Sequence, residues 1–451
     1  MKSFFNPKSV AIIGASENPK KLGHTVMKNF MEFDFKGNIY PVNPKADEIL
    51  GKKCFKSVLD INGSVDLAVV LVPSQFSNTV VLECTKKNIP AVVVITAGYR
   101  ELGTIGIARE QELKDIIKGT KTRIVGPNCI GLFDPFARTD TLFLPDYKLK
   151  RPPQGEIAFI SQSGAFGAAV LDWAATEGIG ISHFVSYGNR ADVDEIDLIR
   201  YFIKDKKTKA ILLYIEGARN GRALYECIKK ESMKKPIIIL KAGKFQAGSK
   251  AASSHTGSLA GSYTVFRAAI KQSGAIEAET SEDMFDYARA LAYQPRPKGK
   301  NVAVLTNGGG FGVLAADALE KYGFLIPQLS KGTINKITSI MPDYATIHNP
   351  IDIIGDADSN RYAVCLKALM DDNEIDAVIV CTLMQTASLE PEIVDVLSNA
   401  NEKKRKPLLV VSAGGEYTQI LLKSLEKEGI PAYPSPERAV RSLKALYDSK
   451  K

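Results

Sequence analysis

Short apolar runs ending in Gly, Pro or Asn recur along this chain, separated by longer stretches in which apolar residues return at helical spacing. From Ser9 to Val125 the runs are "SVAIIGAS", "GNIYPVNPK", "DLAVVLVPS", "AVVVITAG" and "RIVGPN", with stretches such as "SNTVVLECTKKN" between them. Runs this short and β-branched, alternating with amphipathic segments, predict a parallel sheet wrapped by helices. A Pro-rich, charged stretch from Phe133 to Glu156 reads as a connection, and a second series follows it: "EIAFISQSG", "ISHFVSYG", "AILLYIEGA", "PIIILKAG" and "AIEAET". After a second linker, "QPRPKGK", a third series runs from "NVAVLTNGGGFG" through "NPIDIIGD", "AVIVCTL" and "PLLVVSAGG" to "IPAYPS". It closes on a terminal helix in "PERAVRSLKALYD". The expected fold class is α/β, with three consecutive parallel-sheet units over residues 1–132, 150–294 and 299–451. In doubly wound sheets ligands bind outside the carboxyl ends of the strands, where these Gly-rich turns cluster.

Composition agrees with that count. A chain of 451 residues has room for three domains at ~150 residues each. Hydrophobic residues at 45% and charged ones at 24% supply several packed cores and exclude a disordered chain. The formal charge of +9 suits either anionic partners such as nucleotides, phosphate or coenzyme A, or an ordinary solvated surface. Basic residues are nevertheless spread along the sequence, and the densest run, "NEKKRKP", reads as a loop before a strand, so nucleic-acid binding gains little. The six cysteines, at 54, 84, 129, 227, 365 and 381, never approach C-x-x-C spacing, which fits a reducing cytoplasm. No apolar run nears the ~20 residues of a spanning helix, and no export segment is read at the N-terminus.

Candidate chemistry sits at the strand ends. The turn "GASENPKKLG" from Gly14 follows a strand and opens a helix, so its backbone N–H groups can cradle a phosphate. It is not a G-x-G-x-x-G, and the second strand ends in "VNPK", with Lys45 where a dinucleotide enzyme has an acid. A cation there suits a ribose phosphate, as in NADP or coenzyme A; the alternative is an ordinary surface lysine. "VGPNCIG" places Asn128 and Cys129 at a strand terminus, where Cys129 is either a nucleophile or a buried thiol without an activating partner. "ISQSGAFG", with Ser163 and Gly164, and "TNGGGFG", with Gly309 and Gly310, each follow a strand and open a helix. Each is either a phosphate site or a tight turn needing glycine for packing.

Glu216 ends the run "AILLYIEG", where a carboxylate can orient an imidazole; otherwise it is a partly exposed strand-end acid. His255 lies in "KAGKFQAGSKAASSHTGSLAGS", where no large apolar residue occurs between Phe245 and Leu259. Such a loop cannot be fixed by core packing. Its imidazole titrates near neutrality and, when neutral, offers a nucleophilic nitrogen, unless it is merely a surface histidine in a linker. His24, His183 and His348 read as structural, and no cluster has metal-ligand spacing.

Taken in order, "IIGASENPKKLG", "VNPK", "VPSQF", "ITAGYRE", "VGPNCIG", "ISQSGAFG", "YIEG", "SSHTGSLAG", "TNGGGFGVLAADALE" and "NPIDIIGDA" resemble the NDP-forming acyl-CoA synthetases, the superfamily containing succinyl-CoA synthetase. Within it they are most similar to the α subunits of archaeal ADP-forming acetyl-CoA synthetases. The resemblance runs almost end to end. It implies a CoA-binding Rossmann-like domain followed by two flavodoxin-like ligase domains. It implies a CoA site at Gly14, Ala15, Ser16, Lys21, Lys45, Val72, Pro73, Ile95, Thr96, Ala97, Asn128 and Cys129. It also implies phosphate contacts at Gln162, Ser163, Gly164, Gly309 and Gly310, and catalytic roles for His255 and Glu216.

The implied reaction converts acyl-CoA, phosphate and ADP reversibly into a carboxylic acid, ATP and CoA. It proceeds through an acyl phosphate and a phosphohistidine at His255. Nothing in the chain resembles the family's ATP-grasp domains. A separate β subunit carrying ADP or ATP with Mg²⁺ is therefore implied, in an α2β2 complex, and the His255 loop would travel to it. Two competing readings are a non-enzymatic CoA-binding regulatory module and an NADP oxidoreductase, the latter disfavoured by the missing fingerprint.

Overall fold

The computed structural model describes residues 1–250, 262–343, 345 and 347–449. They form two compact units, Met1–Glu277 and Ala278–Lys451. Each strand expected from the sequence is present.

The first unit holds two sheets. Strands β1 (Ser9–Ile13), β2 (Asn38–Val42), β5 (Leu67–Val70), β6 (Ala91–Val94) and β7 (Arg123–Val125) form an all-parallel sheet in the order β2-β1-β5-β6-β7. A hairpin of β3 (Glu48–Ile49) and β4 (Lys52–Lys53) turns through Leu50 and Gly51, both at positive φ. β1, β5 and β6 are buried along their whole length, as the unbroken apolar runs of a sheet covered on both faces require.

The second sheet contains β10 (Gln154–Ser161), β11 (Ile181–Ser186), β12 (Ala210–Ile215), β13 (Ile237–Lys241) and β14 (Ile276–Ala278). Its full order is β14-β13-β12-β10-β11-β8-β9. The two edge strands correct the sequence reading: β8 (Gly131–Asp134) and β9 (Thr139–Asp140) come from the start of the supposed connection and add antiparallel to β11. Two short strands pinned by Thr141, whose hydroxyl accepts from Leu132 N at 2.8 Å, carry no periodicity long enough to read.

By compactness the chain divides differently from the three-unit expectation. The first two sheets share one core, in which Val10, Ile12 and Leu67 join Leu132, Ile160 and Val185. Arg123 fastens them further, donating to Asp192 at 2.8 Å and Asp197 at 2.7 Å. By compactness the helix Ser281–Tyr293 groups with the last unit. There it packs on the terminal helix Pro436–Asp448, and the buried Asp286 carboxylate accepts from Arg438 Nε at 2.6 Å.

The second unit is built on β15 (Val302–Thr306), β16 (Ile351–Asp352), β17 (Ala377–Cys381), β18 (Leu408–Val411) and β19 (Ala432–Tyr433), in the order β16-β15-β17-β18-β19. All three parallel arrays thus share one winding: the first strand lies between the second and the third. Each has its topological switch point there, beyond the carboxyl ends of that central pair. Among the described residues no helix is long and apolar enough to cross a membrane.

Candidate functional site

In the first unit the two switch points open onto one cleft of about 1170 Å³. The turns after β1 (Gly14–Ser16), β2 (Asn43–Lys45), β5 (Leu71–Pro73), β6 (Ile95–Ala97) and β7 (Asn128–Ile130) form one wall. The turns after β10 (Gln162–Ala165), β11 (Gly188–Arg190) and β12 (Glu216) form the other. The cleft thus gathers every first-unit candidate for CoA and phosphate: Gly14, Ala15, Ser16, Lys21, Lys45, Val72, Pro73, Ile95, Thr96, Ala97, Asn128, Cys129, Gln162, Ser163 and Gly164, together with Glu216.

The first wall is held by backbone geometry. Gly14 takes φ +97°, and a Cβ on Gly23 would lie 1.9 Å from Gly14 O, so the helix Leu22–Glu32 starts hard against the turn. Asn43 wires neighbouring turns together, donating to Ala15 O at 2.8 Å and accepting from Lys45 N at 2.9 Å. Lys21 and Lys45 are exposed in the cleft, and Lys56 adds a third ammonium, 2.7 Å from Asp47. These cations give one wall of the cleft a positive charge that suits an anionic ligand. Lys56 and Asn43 escaped the sequence reading, although "VNPK" already placed Asn43 beside Lys45.

Asn128 is tied between the sheets. It takes φ +57° after a cis Gly126–Pro127 peptide, its N–H donates to Thr96 O at 3.0 Å, and its side chain donates to Asn189 Oδ1 at 3.3 Å. Asn189 in turn donates to Glu101 at 2.7 Å. Cys129 is buried, and burial pushes its thiol up to about 12, which removes the nucleophile reading.

On the second wall Gln162 is the bridge. Its N–H donates to Tyr214 O at 3.1 Å, and its Oε1 accepts from Glu216 N at 2.9 Å and Gly217 N at 3.3 Å. One side chain therefore sets the spacing of the crevice between β10 and β12. Ser163 caps the helix Gly164–Thr176 by accepting from Phe166 N at 3.3 Å. Ser163, Gly164 and Ala165 line the cleft at the positive end of this helix. Gly164 also has a packing reason, since its Cβ would meet Ile130 Cγ2 at 2.8 Å.

Glu216 is buried, and its charge adds to burial in pushing the Tyr214 phenol up to about 12. Arg190, also buried in this wall and unread in the sequence, donates to Gly217 O at 2.5 Å. His255 lies outside the described residues.

The second unit repeats the device. Asn307, directly after β15, accepts from Leu383 N at 2.7 Å and donates to Leu383 O at 3.2 Å, bridging to the end of β17 as Gln162 bridges to that of β12. Thr306 Oγ1 donates to Gly308 O at 2.9 Å, matching Ser161 Oγ to Ser163 O at 2.6 Å. Gly309 begins the helix Gly309–Lys321, and its Cβ would lie 2.9 Å from Asp352 Oδ2, the end of a side chain. Gly310 has open space around its Cβ position.

Of the remaining histidines, His183 is buried with Nε2 3.1 Å from Asp134, His24 Nδ1 lies 3.1 Å from Ser16 O, and His348 is exposed. No group of metal-ligating side chains occurs among the described residues.

Three family models match in succession: a CoA binding domain over residues 8–135, a succinyl-CoA ligase like flavodoxin domain over 154–291, and a Ligase-CoA domain over 302–451. The acetate–CoA ligase [ADP-forming] I subunit alpha of Pyrococcus furiosus is 44% identical over 99% of this chain and 97% of its own length. The acetate–CoA ligase [ADP-forming] of Methanocaldococcus jannaschii is also 44% identical over 99% of this chain, but over 63% of its own length. Among solved structures, the Ca. Korarchaeum cryptofilum dinucleotide forming acetyl-coenzyme A synthetase 1, in complex with phosphate and ADP, superposes with a TM-score of 0.91 at 39% identity, covering 99% of this chain and 96% of that one. With three domain models in this order and full-length relatives at such identity, the chain belongs to the NDP-forming acyl-CoA synthetase family.

Proposed function

We propose that this chain is the α subunit of an ADP-forming acyl-CoA synthetase, with acetyl-CoA as the reference substrate. The observation that carries the reading is the single cleft onto which both switch points of the first unit open. Lysines line its first wall, and a helix start with a buried carboxylate beside it lines the second.

CoA binds along the first wall, its phosphates drawn to Lys21, Lys45 and Lys56 and to the amides after Gly14. The thioester then reaches the second wall. Phosphate held at the Gly164 helix start attacks the thioester carbonyl, the C–S bond breaks, and CoA leaves as the thiol. The His255 imidazole takes the phosphoryl group from the acyl phosphate: the P–N bond forms as the P–O bond to the acyl group breaks, releasing the carboxylate. Glu216 compensates the positive charge on the ring. ADP, held with Mg²⁺ on a separate ATP-grasp β subunit, takes the phosphoryl group from His255 to give ATP. The complex is read as α2β2.

The name of the Pyrococcus furiosus relative, an α subunit, supports the need for a partner, and the greater length of the Methanocaldococcus jannaschii relative is consistent with it. Acyl-CoA-dependent ATP formation, measured with and without the β partner, tests the proposal. ATP formation that requires both chains is expected; its absence with both present leaves only a CoA-binding regulatory module.

A further inference from the structure

Lys241 is buried at the last position of β13, in sheet register with Ile215 and so beside the strand end that carries Glu216. A lysine in such a place is costly unless its ammonium is satisfied, and an apolar residue would fill the volume at lower cost. The ammonium here is satisfied by backbone. Nζ donates to Glu216 O at 2.7 Å and to Ala242 O, and it lies 5.6 Å from the centre of the Phe266 ring. Gln162 already holds the N–H of Glu216. The peptide groups on both sides of this carboxylate are therefore pinned, one by a side-chain carbonyl and the other by a buried cation.

We infer that Lys241 is a positioning residue for phosphoryl transfer: it fixes the backbone under Glu216 and sets a positive charge beside that residue. The inference rests on the function proposed above. Burial lowers the pKa of Lys241 and the Glu216 charge raises it again, which is the mutual support expected of such a pair. Other titratable groups act on the same place: the phenols of Tyr214 and Tyr187 sense the Glu216 charge, Arg190 and Glu195 face Tyr187, and Lys244 opposes Lys241. Of these, Lys241 donates to the main-chain carbonyl of Glu216.

Without the ammonium the Glu216 carbonyl loses its donor, and the strand end under the carboxylate is no longer held. The test is phosphohistidine formation in the complex with the β partner, Mg²⁺ and labelled ATP. In Lys241→Met the label is expected to fall roughly tenfold, the loss of one charge-assisted bond. CoA affinity should stay within about twofold of wild type. Lys241→Arg should restore the label. Lys241→Gln, which keeps a donor without the charge, should show a smaller loss and serves if the methionine variant does not fold. Full label in both Lys241→Gln and Lys241→Met, or a loss that Lys241→Arg does not restore, overturns the inference. No label in wild type overturns the proposed function and this inference together.

Discussion

Side chains at the strand ends divide into those exposed in the cleft and those that hold the crevice open. Gln162 and Asn307 are of the second kind, each closing a switch point by bonding across to the next strand but one. Lys45 is of the first kind, exposed in the cleft after β2. Lys45→Glu reverses a charge beside the expected ribose phosphate and should weaken CoA binding roughly tenfold, ~1.4 kcal/mol. Calorimetric titration with CoA checks this; an unchanged Kd would take Lys45 out of the site. Glu216 was legible because a charged residue directly after an apolar run must lie at a strand end, and Lys45 because it follows the Asn-Pro turn that ends β2. Lys241 also ends such a run, yet its meaning depends on β13 lying next to β12, which only sheet order reveals. Arg190 and Asn189 were invisible for the same reason, because their loop matters only once it lies against Pro127 and Asn128.

At the scale of elements, the turns matter more than the strands they join. The helix Leu22–Glu32 can deliver its N-terminus to a ligand only because Gly23 lets it approach the Gly14 turn. Gly23→Ala places a methyl group 1.9 Å from Gly14 O and should push the helix away, at a stability cost of about 1–3 kcal/mol. Urea unfolding should show the lower midpoint, and CoA affinity should fall with it. A variant equal to wild type in both would show that the helix start does not form the site. The strands themselves were readable from continuous burial, whereas β8 and β9 were not. Both are short, both sit inside a Pro-rich charged stretch, and their pairing with β11 is set by tertiary contact.

Over the whole molecule one winding is used three times, and the first two copies are fused through a shared core so that their switch points face each other. That fusion could not be read from linkers, because Pro-rich composition marks where regular helices stop and says nothing of which sheets share a core. It supplies the reason the two walls meet in a single cleft. Gly309 and Gly310 repeat the helix start in the other unit, with Asp352 close to the first of them. The account turns on His255 as the group that takes the phosphoryl from this cleft. Incubating the chain with its β partner, Mg²⁺ and labelled ATP, then mapping the acid-labile label, tests that most directly. Label on His255 that disappears in His255→Ala is the predicted result, and undiminished labelling in the variant would contradict the account.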